Sequence, residues 1–154
     1  MKPMYELPEV RIRMCEGASL YSTEPVLSPD IANKLIRTEM KYLDREALVV
    51  LNLDSQLHPI NFNVVSIGCD NRSSFKLSDI FKTSILSSAS CIMLFHNHPS
   101  GNPSPSEEDI DITRRVMKAG SLLDINLVDH IIVGSDTCYS FRKNMNYLFE
   151  LKEN

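Results

Sequence analysis

The chain has no tryptophan, only five glycines and only four cysteines in 154 residues. Cys15, Cys69, Cys91 and Cys138 stand far apart, with no CxxC pair among them. That spacing argues against a thiolate zinc cluster and a dense disulfide framework, and leaves the four as reduced, mostly packing residues. Long hydrophobic runs are missing too: "ALVVL" and "CIMLF" fall far short of the roughly 20 apolar residues a membrane-spanning helix needs. The opening "MKPMYELPEV" breaks on prolines and acids, so no secretory signal is read and a cytoplasmic location is expected. A basic excess is also absent. Lys and Arg number 16 against 20 Asp and Glu, giving a net charge of -4 and a pI near 5.5. A phosphate-binding surface would want clustered cations, so nucleic acid is not an expected partner. Even "TRRVMK" reads as a solvated helix face, and no internal repeat or low-complexity tract occurs.

What is present fits one domain with one core, since 43% of the residues are hydrophobic. Residues 1–27 read as an extension in which "EVRIRM" alternates Val10, Ile12 and Met14, one edge strand through which the chain could self-associate. The domain proper is expected over 28–148, with 149–154 as a tail. "SPDIANKLIRTEMKYL" predicts a helix with Ser28 as N-cap, Pro29 at the first helical position and a stripe of Ile31, Leu35, Met40 and Leu43. "EALVVLNLD" and "INFNVVSIG" predict two strands joined by the turn "DSQLHP", which makes His58 a turn residue. "KLSDIFKTSILSS" predicts a helix with Leu77, Ile80, Phe81 and Ile85 on one side, and "CIMLFHN" a strand buried on both faces. A third helix carries Ile112, Val116, Ala119 and Leu123, and "INLVDHIIVG" and "CYSF" close the chain as strands. The order α-β-β-α-β-α-β-β predicts an α/β fold, a mixed sheet with helices around it.

The chemistry concentrates in "FHNHPSGNPSPSEED", Phe95 to Asp109. Residues i and i+2 of a strand share a face, so His96 and His98 project together while Phe95 and Asn97 point away. Asp109 follows in the first turn of the next helix, where a carboxylate can fold back over the strand end. Two imidazoles and a carboxylate make a three-ligand metal site with a fourth position open to water, the pattern of hydrolytic rather than structural zinc. The same donors also accept iron, cobalt or manganese. A second reading is compatible with the first, because Ser106 and Asp109 are spaced as a helix-capping pair. Pro99, Gly101, Pro103 and Pro105 stiffen the turn between. His130, beside Asp129 and "IIVG", reads as a packed strand histidine that supports the site from behind a ligand. Other HxH chemistries fail on this sequence: Ser100 stands where a metallo-β-lactamase-like site needs Asp, the chain is too short for a barrel of about 250 residues, and the HxE and PCxxC of zinc deaminases are missing.

His96-Asn97-His98-Pro99, Ser106 and Asp109 fill every fixed position of HxHPxxxxxxSxxD, so the chain resembles the JAMM (JAB/MPN) metalloproteases. "HNHPSGNPSPSEEDIDITRR" and "LVDHIIVG" are similar to the RadC-like branch, and the resemblance runs roughly from Leu27 to Phe141. It implies a JAB/MPN domain with cytidine-deaminase-like architecture, the sheet sandwiched by helices, and one Zn2+ per chain on His96, His98 and Asp109. It further implies an upstream glutamate acting as general acid/base, matched by Glu46, and a Ser106 hydroxyl that hydrogen-bonds the oxyanion. The activity implied is hydrolysis of an amide or isopeptide bond in an extended peptide or protein substrate. From the residues alone Glu46 is equally a solvated acid at a strand start. The alternative is a non-catalytic RadC-like interaction module linked to DNA metabolism or mobile elements. Two departures bear on the comparison. Long RadC proteins carry a helix-hairpin-helix segment for which no room is expected before Leu27, and "IGCDNRSS" replaces a glycine-threonine-leucine stretch, so Cys69 and Asp70 are expected to alter the rim of the groove.

Overall fold

The computed structural model describes residues 9, 11, 13–15, 17, 20, 22, 24–40, 43–68 and 76–150. The expected edge strand rests on Val10 and Ile12, and the expected rim on Cys69 and Asp70; all four lie outside the described residues.

Ser28 opens the first helix by accepting the Ile31 N–H on Oγ at 3.2 Å, and Pro29 follows where its missing N–H costs nothing. The helix, α1 (Pro29–Met40), turns Ala32, Ile36 and Met40 inward, with Ile31 and Leu35 packed beside them. Met40 is buried as expected, whereas on the earlier turns the buried positions are Ala32 and Ile36, each one beyond the expected Ile31 and Leu35. The next strand, β1 (Ala47–Leu53), is buried along its whole length. At its end Asp54 Oδ1 accepts the N–H groups of Gln56 and His58 at 2.8 and 2.9 Å. This side-chain turn returns the chain into β2 (Pro59–Ile67).

A helix, α2 (Leu77–Leu86), leads to β3 (Cys91–Asn97), and a longer one, α3 (Glu107–Leu123), carries the chain over to β4 (Asn126–Val133) and β5 (Cys138–Ser140). The sheet order is β2-β1-β3-β4-β5. Only β3 and β4 run parallel; the other neighbours are antiparallel. A parallel pair requires a crossover, and α3 provides it. The eight expected elements therefore appear in the expected order as one mixed α/β sheet.

Strand alternation divides the core. Val49, Leu51, Met93, Phe95, Ile131 and Val133 pack with α1, whereas Leu48, Val50, Ile92 and Leu94 pack with Ile80 and Phe81 of α2 and Ile112 and Val116 of α3. Helices thus cover both faces. Two inward residues differ from expectation: Ile85 is 55% exposed and Leu123 44% exposed. Ser84, four residues after Ile80, takes the inward place on α2. On α3 that place falls to Gly120, where a Cβ would stand 2.3 Å from the Ile125 carbonyl oxygen, so only glycine lets the helix end this close to the returning chain.

After β5 come two short helices not expected from the sequence, α4 (Phe141–Asn144) and α5 (Tyr147–Glu150). Phe141, expected to close a strand, instead starts α4. Ser140 Oγ accepts the Lys143 N–H at 3.0 Å and Asp129 Oδ1 the Arg142 N–H at 2.9 Å, which together cap the helix. No helix among the described residues is long and apolar enough to cross a membrane.

Candidate metal centre

His96 lies on the face of β3 shared with Ile92 and Leu94, so it points toward α3. One residue past the strand end, the His98 N–H donates to the Val133 carbonyl at 3.2 Å. That bond prolongs the alignment with β4 and keeps the two-residue parity, so both rings emerge on one side. The chain then turns sharply. Gly101, at φ 80°, donates to the His98 carbonyl at 2.8 Å and accepts from Ser135 N–H at 3.1 Å. A Cβ on Gly101 would stand 2.2 Å from Ser135 Oγ, and one on Gly134 would stand 2.5 Å from the Gly101 carbonyl. The proline-rich turn is therefore seated on the end of β4 through two glycines. Gly101→Ala is expected to cost about 1–3 kcal/mol and to loosen the start of α3; urea unfolding together with zinc titration checks both effects.

Ser106 and Asp109 form a capping box at that helix start. Ser106 Oγ accepts the Asp109 N–H at 3.2 Å, and Asp109 Oδ2 accepts the Ser106 N–H at 2.7 Å. The box aims the carboxylate back at the strand. Asp109 Oδ1 lies 3.2 Å from His96 Nε2 and Oδ2 lies 3.4 Å from His98 Nε2, while the two Nε2 atoms are 2.8 Å apart. A tetrahedral ion with bonds of 2.0–2.1 Å places neighbouring donors about 3.3 Å apart. The three side chains, all buried, thus form a group that could hold a metal ion, with Asp109 serving the helix cap at the same time.

The hydrogen bonds behind the ligands place a proton on the Nδ1 atom of each ligand histidine. His98 Nδ1 is 2.8 Å from the Asn102 carbonyl, which only accepts, so Nδ1 bears a hydrogen and the neutral ring would offer its lone pair on Nε2. For His96 the chain of bonds is longer. Thr113 Oγ donates to the Asp109 backbone carbonyl at 2.6 Å and therefore accepts from His130 Nδ1 at 2.7 Å. The other His130 nitrogen, Nε2, must then accept from His96 Nδ1 at 2.9 Å. On both ligand rings Nε2 is thus the nitrogen left to coordinate, and both Nε2 atoms face the same spot as the Asp109 carboxylate. His130 is fully buried and stacks on Phe141 at 4.9 Å and 6°, which fixes its ring plane.

With no ion between them, the Nε2 atoms of His96 and His98 face the Asp109 carboxylate as hydrogen-bond donors, at the place a metal ion would take over. Burial alone would raise the Asp109 carboxyl, but hydrogen bonds to His96 and His98 outweigh it and hold it well below the usual carboxylate range. Burial, followed by charge on His96, pushes His130 well below the ordinary histidine value and keeps it neutral. The sign of the pH effect follows. Above about pH 6.5 the folded and unfolded chains both hold a neutral His130 and stability is complete. Below it the unfolded chain takes a proton that the folded one refuses, so stability falls by up to about 1.4 kcal/mol per pH unit. Urea unfolding of chelator-treated protein between about pH 7.5 and 5.5 should show this slope, and His130→Gln should remove that part of it.

Glu46 stands just before β1, half-buried. Leu48 pairs with His96 across β1 and β3, so carrying the register two residues on sets Glu46 beside His98 and on the same face of the sheet. It lines a small, shallow cleft together with Ala47, Leu48, His96, Glu108, Asp109 and Ile112. The structure therefore brings Glu46, His96, His98, Ser106 and Asp109 to one place, with His130 behind His96. Sequence reasoning missed Glu108, Thr113 and the Asn102 carbonyl. Thr113 carried a signal, a hydroxyl four residues after Asp109 within an apolar helix stripe; a backbone carbonyl carries none.

Comparison with known proteins places the chain in a family. The RadC-like JAB domain family matches residues 26–147. A UPF0758 protein of Desulfitobacterium hafniense is 37% identical over 141 residues, covering 88% of this chain and 62% of that protein. One from Thermotoga maritima is 45% identical over 105 residues, 68% of this chain and 47% of its own length. One from Alkaliphilus metalliredigens is 42% identical over 118 residues, 77% and 51% respectively. The chain thus spans about half to three fifths of the length of these relatives, whose name states no activity. With a family match across most of its length, its five-stranded mixed sheet and its buried His-His-Asp group, the chain belongs to the RadC-like JAB domain family.

Proposed function

We propose that this chain is a zinc-dependent peptidase or isopeptidase that hydrolyses an amide bond in an extended peptide or protein. The observation that carries the reading is the convergence of one ligand atom each from His96, His98 and Asp109 on one buried place, in a cleft that Glu46 also lines. A divalent ion held by His96, His98 and Asp109 would supply Lewis-acid polarisation and a water acidic enough to ionise near neutral pH. Glu46 takes the proton of the attacking water and passes it to the leaving amine. The Ser106 hydroxyl, whose oxygen caps α3, turns its hydrogen to the oxyanion of the tetrahedral intermediate. His130 and Thr113 hold the His96 ring in place, and Leu48 and Ile112 keep one wall of the cleft apolar. The free thiols of Cys15, Cys91 and Cys138 suit a reducing, cytoplasmic setting.

The test is cleavage of a degenerate peptide library and of isopeptide-linked peptides by zinc-loaded protein, read by mass spectrometry. New termini that vanish with chelator and return with zinc support the reading. Fully loaded protein that cleaves nothing, with a binding partner still captured equally by wild type and His98→Ala, would replace the hydrolase with an interaction module.

A further inference from the structure

Asn97 lies between the two histidines, yet its side chain leaves the opposite face of β3. It is 2% exposed. Its Oδ1 accepts the Ala47 N–H at 2.8 Å, and its Nδ2 donates to the Arg45 carbonyl at 2.9 Å and the Leu43 carbonyl at 3.4 Å. Ala47 and Arg45 are the two neighbours of Glu46. The register between β1 and β3 ends at the Leu48–His96 pair, and the Asn97 amide continues it by one place. A primary amide offers the same donor and acceptor as a peptide unit, so the side chain substitutes for the next rung. From the other side, the Gly68 N–H donates to the Glu46 carbonyl at 2.7 Å.

We propose that Asn97 is a positioning residue for Glu46, clamping the backbone on both sides of it so that the carboxylate stays over the cleft beside the metal ligands. The inference rests on the reading of Glu46 as the general base. It assigns the middle residue of the His-Asn-His run a function separate from ligation: one face of the strand end sets the metal donors, and the other sets the base. A base must lie within about 2.6–3.2 Å of the proton it takes, and a displacement of about 1 Å can cost 10²-fold in rate. An otherwise irregular stretch, Leu43 to Glu46, therefore needs an anchor of this kind. Aspartate would keep the acceptor and lose the donor, and alanine would lose both.

The experiment compares zinc-loaded wild type, Asn97→Ala, Asn97→Asp, Glu46→Gln and the Asn97→Ala/Glu46→Gln double variant. Acetohydroxamate is the probe, because it binds a metal while presenting an acidic hydroxyl to a neighbouring carboxylate. Zinc affinity, acetohydroxamate affinity by calorimetry and Ala47 amide exchange by NMR are measured on each. Zinc affinity should stay within about threefold throughout, since no ligand changes. Glu46→Gln should weaken acetohydroxamate about 10-fold or more, as expected for a lost hydrogen bond to a charged group. Asn97→Ala should weaken it comparably, with the double variant no weaker than Glu46→Gln alone, because the two residues act through one contact. Ala47 exchange should speed up in Asn97→Ala, and Asn97→Asp, which carries the comparison if the alanine variant does not fold, should fall between. If Glu46→Gln loses affinity while the Asn97 variants bind like wild type, Asn97 is a structural residue only. If Glu46→Gln itself binds like wild type, or zinc does not load, the reading of Glu46 fails and this inference falls with it.

Discussion

Zinc-loaded protein carrying Glu46→Gln is expected to keep its metal and lose about 10²- to 10⁴-fold of its peptide hydrolysis. Glutamine fills the same space and can still hydrogen-bond water, but it cannot take a proton. The substitution leaves His96, His98 and Asp109 untouched, and Glu46 lines the cleft that includes two of them. Metal content and turnover on a cleaved library peptide, measured on the same preparation, separate the two contributions. Turnover within about threefold of wild type would remove Glu46 from proton transfer. Glu108, the acid of the cleft that is neither Glu46 nor the ligand Asp109, would then be the group to substitute.

The second large effect is on stability. Zinc at about 1,000 times its dissociation constant should stabilise the folded chain by about 4 kcal/mol, a rise in Tm of about 8–16 °C for a chain of this size. Asp109→Ala should abolish that rise, and it should also lower the melting temperature of the metal-free protein, because it removes one half of the capping box. Ser106→Ala separates the two roles. It breaks the cap at a cost of about 1 kcal/mol but leaves all three ligands, so the zinc-induced rise should persist. Thermal melts of the three proteins with zinc and with chelator give the comparison. A zinc response retained by Asp109→Ala would place the ion elsewhere.

Much of this architecture was legible in the sequence, and the exceptions have physical causes. Two-residue parity put His96 and His98 on one face because it depends only on local backbone geometry, and the His98 bond to Val133 lets it hold one residue past the strand. The cap and the ligand readings of Asp109 were both visible, since a capping box itself turns the carboxylate back toward the preceding strand. Glu46 was different. Fifty positions from His96, it was picked out by family resemblance alone, and only the Leu48–His96 register shows why it arrives there. Ile85 and Leu123 faced outward because periodicity gives the angle of a side chain but not where the neighbouring layer stops. The start of α4 was invisible because its cap comes partly from Asp129, on another strand. Thr113 and Asn97 looked like a stripe position and a spacer; their roles depend on partners set by tertiary packing.

The central claim is that His96, His98 and Asp109 bind one metal ion, and elemental analysis of protein purified in chelator-free buffer tests it most directly. Wild type should carry about one zinc per chain, and His96→Ala and Asp109→Ala should carry none. Wild-type protein that stays metal-free even after added zinc would contradict the account, leaving the turn as a capped helix start on a binding scaffold.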